Sequence, residues 1–157
     1  MDKEEYRNST SDSDDLRPLT VDGIRKMKKI AKGLRKFIDR PDALISSPLT
    51  RALQTAEILE GTWMGLEIEL RDELRPETHP EKLELFLRSR DEWMKKKAVV
   101  TIVGHEPHLS HVVSYFLAGA QRSLIELKKG GACLIEFDGP PRKSRGTLQW
   151  LVTGKWV

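Results

Sequence analysis

The 157 residues, 38% hydrophobic and 32% charged, have the balance of one globular domain built on one core. Lys and Arg number 27 against 24 Asp and Glu, a formal charge of +3, which favours anionic ligands only weakly. No apolar run approaches the roughly 20 residues of a membrane-spanning helix. The single cysteine, Cys133, excludes an internal disulfide and makes a reducing cytoplasm the expected compartment.

Residues 1–15 hold almost nothing that could enter a core and read as a polar segment ahead of one domain, residues 16–157. Their acidic character fits neither a secretory signal nor a transit peptide. In the next segment, Val21, Ile24, Met27, Ile30, Ala31, Leu34 and Phe37 recur at intervals of three and four, which is helical spacing. Thr20 is the expected N-cap, and Pro41 lies where a stop belongs. The basic residues between Arg25 and Arg35, including Lys26, Lys28, Lys29 and Lys32, read as the solvated face of that helix. A docking face for nucleic acid or an acidic protein is the alternative. Aromatic residues amount to 6%, which gives single-strand stacking little support.

A short apolar run, 43–45, reads as a buried strand. Ser47-Pro48 suits N-cap and first helical position, and a helix over about 49–59 would bury Ala52, Leu53, Ala56 and Leu59. Residues 66–70 are a candidate strand, 71–80 a loop, and 80–96 a helix with Leu83, Phe86, Leu87, Trp93 and Met94 inward. The uncharged, β-branched run 98–103 is the clearest strand, of the kind covered on both faces. Gly104 ends it, a helix over 109–117 follows, and 131–138 and 147–153 read as two closing strands. This alternation predicts an α/β fold with helices on both faces of a mostly parallel sheet.

Ligands of open α/β sheets bind beyond the carboxyl ends of the strands. One such end leads to Arg51, in the first turn of a helix, where a cation opposes the dipole. An anion held between Arg51 and the helix terminus would explain it; a structural salt bridge is the alternative. The other leads to Gly104-His105-Glu106-Pro107. There His105 is either a site residue or a satisfied buried histidine. His105, His108 and His111 are spaced three and three rather than as the helical i, i+4 zinc pair, so no metal is expected. His79 has no evident partner.

Four segments together resemble the SixA-type phosphohistidine phosphatases of the histidine phosphatase (phosphoglycerate mutase-like) superfamily. Arg17-Pro18-Leu19-Thr20 with Gly23 resembles that family's approach to its first helix. The stretch from Ser47-Pro48 through Arg51-Ala52 to Gln54-Thr55-Ala56 is similar to its "SP..RA.QTA" segment. Val103-Gly104-His105-Glu106-Pro107 with Leu109-Ser110 is similar to its "VGHNP.LS", with glutamate for asparagine. Gly130-Gly131-Ala132 fits its closing region.

The resemblance implies phosphoryl transfer to a nucleophilic histidine and then to water, with two arginines and a second histidine holding the phosphoryl oxygens. By position, Arg51 is one arginine and His105 the second histidine, with Ser47 beside them as a substrate-binding residue. Glu73 and Glu77 are candidate acids. No metal or organic cofactor is implied. The implied partner is a phosphohistidine-bearing signalling or phosphotransfer protein, met by a monomer that binds neither nucleic acid nor membrane. Small-molecule phosphatases of the superfamily, and a non-catalytic phosphate-binding module, are the alternatives.

The family's chain opens with a central apolar strand ending in Arg-His-Gly, which carries the nucleophile and the other arginine. That tripeptide occurs nowhere in this sequence. The expectation is a fold missing its usual first strand, through an N-terminal truncation, with a protein that lacks the strand outright as the alternative; without the nucleophile, catalysis by the chain as it stands is not expected.

Overall fold

The computed structural model describes residues 15–155. The expected polar segment 1–15 falls almost wholly outside them.

Thr20 caps the first helix, α1 (Val21–Leu34), by accepting the Gly23 N–H at 3.0 Å. Ile30, Ala31 and Leu34 face inward, and the basic residues expected on the solvated face, from Arg25 to Lys36, are exposed. Two of the helical positions behave otherwise. Val21 is 86% exposed, and the buried residues of the helix all lie toward its other end. The helix also stops before Phe37, which leans on Trp150 with ring centroids 5.1 Å apart.

Strand β1 (Ala43–Ser46) lies at the centre of a parallel sheet, between β2 (Ile68–Leu70) and β3 (Val100–Val103). Successive side chains of a strand point to opposite faces. Leu44 accordingly enters a core with Ile30, Ala31 and Leu34 of α1 and Ala52, Ala56 and Leu59 of α2 (Thr50–Thr62). Its neighbour Ile45 enters a second core with Leu83, Phe86 and Leu87 of α3 (Pro80–Arg88), Trp93 of α4 (Asp91–Lys95), and Val112, Tyr115 and Phe116 of α5 (His108–Ala118). Helices therefore cover both faces of a mostly parallel sheet, as expected. Helix α2 buries the four residues anticipated for it.

The single helix expected over 80–96 is broken into α3 and α4. At the break, Ser89 Oγ donates to the Phe86 carbonyl at 2.6 Å and Arg90 leaves helical geometry. A serine bonding back to its own helix offers the backbone an alternative to continuing it.

The last two strands, β4 (Ala132–Glu136) and β5 (Thr147–Val152), pair antiparallel as a separate two-stranded sheet. Both sheets lean on the same two cores: Val103 and Ala132 on one, Val100, Ile102 and Ile135 on the other. Among the described residues, no strand precedes β1, and β3 and β4 each pair along one edge only. Strand β3 was expected to be covered on both faces. Only Val103 of its four residues is fully buried, as follows for a strand with an unpaired edge.

Candidate phosphoryl-binding site

Parallel pairing sets Ser46 of β1 beside Leu70 of β2 and Val103 of β3. Two more hydrogen bonds extend the register past the strand ends: Ser47 N–H to the Val103 carbonyl and Arg71 N–H to the Ser46 carbonyl, both 2.9 Å. The three segments that leave these strands therefore start side by side.

From β1 the chain passes through Ser47-Pro48 into α2. The helix begins two residues later than the serine suggested, with Leu49 as N-cap and no side-chain cap. Ser47 Oγ instead accepts the Leu49 N–H at 3.3 Å and lies 2.8 Å from Nε2 of His105. The Thr50 N–H donates to the Asp15 carbonyl at 3.0 Å. No described residue accepts the backbone N–H groups of Arg51 and Ala52. Arg51 keeps its place in the first turn, half-buried, with no acidic residue in that turn and no ion pair among the described residues. Two N–H groups and a guanidinium without a partner among the described residues, at the positive end of a helix, are the features that suit an anion. The salt-bridge alternative for Arg51 finds no carboxylate among the described residues.

From β3 the chain turns at Gly104, where an added Cβ would come within 3.1 Å of Leu109 Cδ2. His105 follows, half-buried. Burial, and then the nearby charge of Arg51, push its pKa down to about 4, so the ring is neutral at physiological pH. The carboxylates of Glu77 and Asp15 act on the same ring in the opposite direction. Ser47 thus contacts His105, and the charges of Arg51 and Glu77 are near enough to act on its ring.

Glu73 stands differently. Burial alone would raise its pKa, but Arg71 bonds both carboxylate oxygens, at 2.7 and 3.1 Å, and the net shift is downward. Arg71 in turn stacks over Phe86, 3.9 Å from its centroid. An ionised carboxylate held by arginine is poorly suited to donate a proton, which leaves Glu77 as the remaining candidate of the two acids.

Among the described residues, the histidines belong to no cluster that could hold a metal ion. His108 is 4% exposed, and neither ring nitrogen has a hydrogen-bond partner among the described residues. Burial lowers its pKa, and the Thr78 backbone opposes that shift without completing hydrogen-bond geometry. His79 lies exposed at the start of α3. Glu106, the substitution in the Gly-His-Glu-Pro segment, reaches one turn on. Its carboxylate accepts the Ser110 N–H at 3.0 Å and the Ser110 hydroxyl. Ser110 Oγ also accepts the Leu127 N–H at 2.9 Å. Sequence reading missed this cap; the i, i+4 spacing of Glu106 and Ser110 was its only signal.

Residues 5–85 match the family model of the histidine phosphatase superfamily, branch 1. An uncharacterized protein of Picosynechococcus sp. is 32% identical over 116 residues, covering 73% of this chain and 68% of that protein. Among solved structures, the protein histidine phosphatase SixA complexed with tungstate has a similar fold. Its TM-score is 0.76 at 21% identity, over 94% of this chain and 90% of that one. Phosphoserine phosphatase of Entamoeba histolytica, in complex with 3-phosphoglyceric acid, aligns with a TM-score of 0.61 at 19% identity, over 89% and 87%.

Proposed function

The chain belongs to the histidine phosphatase superfamily, branch 1, and from that premise we propose that it supplies the phosphoryl-binding half of a SixA-type phosphohistidine phosphatase site. The observation that carries this reading is Arg51, an arginine without an ion pair among the described residues in the first turn of α2, acting electrostatically on a neutral His105. Equatorial phosphoryl oxygens carry the transition-state charge, and a fixed cluster of donors aimed at them stabilises it. Arg51 contributes the charge, the open N–H groups of α2 contribute fixed dipoles, and His105 contributes a neutral donor. Glu77 is the proposed proton source for the leaving group. The substrate is a phosphohistidine-bearing signalling or phosphotransfer protein, taken up by a monomer in the cytoplasm.

The nucleophile of this chemistry is a histidine following an arginine. None of the four histidines, His79, His105, His108 and His111, does so. The test therefore uses two proteins: the chain as it stands, and a fusion carrying an apolar strand ending in Arg-His-Gly ahead of it. Both are assayed on a phosphohistidine protein, phosphoserine and sugar phosphates. The expected result is oxyanion binding by both, with turnover only by the fusion and highest on phosphohistidine. Preference for phosphoserine or a sugar phosphate would refute the phosphohistidine assignment and favour the small-molecule reading, for which the fold shared with the Entamoeba enzyme speaks.

A further inference from the structure

Ser47 is completely buried. Its hydroxyl is therefore not placed to meet a substrate arriving from solvent, and its single hydrogen needs an acceptor within the protein. The neighbouring groups narrow the choice. The Leu49 N–H takes one oxygen lone pair at 3.3 Å. The Ser47 carbonyl is already an acceptor for Ser46 Oγ at 2.9 Å. The remaining contact of the Ser47 hydroxyl to a described residue is Nε2 of His105, at 2.8 Å. Were Nε2 protonated, it would donate to the second lone pair of the hydroxyl, and the serine hydrogen would be left without an acceptor among the described residues, away from water.

We propose that Ser47 is the positioning residue of this site: its hydroxyl, oriented by the Leu49 N–H, donates to Nε2 of His105 and fixes the ring in the Nδ1–H tautomer, so that Nδ1–H is the hydrogen presented to the bound anion. The His105 ring makes no other hydrogen bond to a described residue, and Nδ1 is not among the enclosed, unpartnered atoms, so no described residue takes that hydrogen. The assignment explains a neutral histidine in a phosphate site: as Nδ1–H it still donates, without the cost of a second buried cation beside Arg51. Protonating the ring requires a hydrogen on Nε2 and breaks the serine bond. Ser47 thus opposes His105 protonation along with burial and Arg51.

The phosphate-facing part rests on the phosphatase reading; the tautomer does not. The experiment is nitrogen-15 NMR of the histidine rings of the full chain, without ligand, at neutral pH. Wild type should show pyrrole-type Nδ1 and pyridine-type Nε2 for His105. In Ser47→Ala the Nε2–H tautomer should appear, and the His105 titration should move upward. Ser47→Thr, which keeps the hydroxyl, should restore the wild-type pattern and thereby separate lost positioning from general disruption of the fold. Inorganic phosphate should bind Ser47→Ala about tenfold more weakly. A pyrrole-type Nε2 in wild type, or shifts unchanged by Ser47→Ala, would overturn the proposal. Absence of phosphate binding by wild type would instead sink the phosphatase reading, and with it the phosphate-facing part alone.

Discussion

Arg51→Met separates the anion-binding reading from a structural one, because the two predict opposite signs for stability. Methionine keeps an unbranched stem of similar length and so preserves the packing of a half-buried side chain. What is removed is a positive charge at the positive end of α2, a helix with no acidic residue in its first turn and no side-chain cap. Relief of that repulsion is worth about 0.3–1 kcal/mol, so the variant should unfold no more easily than wild type, and slightly less easily at low salt. Oxyanion binding should fall steeply. One charge-assisted contact contributes about 1.5–3 kcal/mol, which converts to a loss of about 10- to 150-fold in affinity for phosphate or tungstate. The same substitution removes the positive charge that, after burial, does most to depress the His105 pKa. That pKa should rise from about 4, yet stay below the ordinary value because burial persists. Calorimetry with inorganic phosphate, a histidine NMR titration and urea melts at two salt concentrations read the three effects. Unchanged phosphate affinity, or a clear loss of stability, would refute the reasoning and make Arg51 a structural residue.

His105 and His108 both have lowered pKa values in the folded chain, so between about pH 6.5 and 4 the unfolded chain binds more protons than the native one. Stability should fall as pH drops through that window, and His105→Gln should flatten, though not abolish, the slope in urea melts taken across it. Leu53 is 1% exposed on the inner side of α2; Leu53→Ala should cost about 2–5 kcal/mol by denaturant titration. Ser110→Ala leaves the Leu127 N–H without its acceptor and one oxygen of Glu106 without its donor. It should cost about 1–3 kcal/mol and speed hydrogen exchange at Leu127, whereas unchanged exchange there would mean the loop is held by something else.

Local pattern carried most of the fold. The inward residues of α2, the Thr20 cap and the order of strands and helices all follow from side-chain periodicity and hydrogen-bonding chemistry a few residues apart. Arg51 and His105 stood out as candidates on local grounds: a cation at a helix start, where the dipole disfavours it, and a histidine after a glycine just past a strand, a typical placement for a site residue. The bond between Ser47 and His105 was not legible, since it spans 58 residues and depends on the parallel register of β1 and β3. Nor was the fate of Glu73, fixed by an arginine that stacks on a ring from another helix. Ser47 illustrates how a residue type can suggest the wrong local role. Serine before proline is a good cap in isolation, but here a histidine and the Leu49 N–H occupy the hydroxyl, and the helix starts two residues on.

The sheet supplies the sharpest test of how this chain relates to its superfamily. Strands β3 and β4 each pair along one edge among the described residues, and their apolar side chains contribute to the same two cores. Three of the four residues of β3 stay half-exposed despite an uncharged, β-branched sequence. Such an edge is a template for further pairing. An added strand with about five buried apolar residues would contribute on the order of 8–15 kcal/mol at about 1.5–3 per side chain. That is as large as the whole stability of a typical domain, about 5–15 kcal/mol. The fusion carrying an apolar strand ending in Arg-His-Gly should therefore unfold at far higher denaturant concentration than the chain as it stands. It should also protect the Val100–Val103 amides from exchange. A chain that already melts cooperatively at high temperature, and a fusion that melts no higher, would show that β3 and β4 need no strand between them, and the nucleophile would then have to be sought elsewhere.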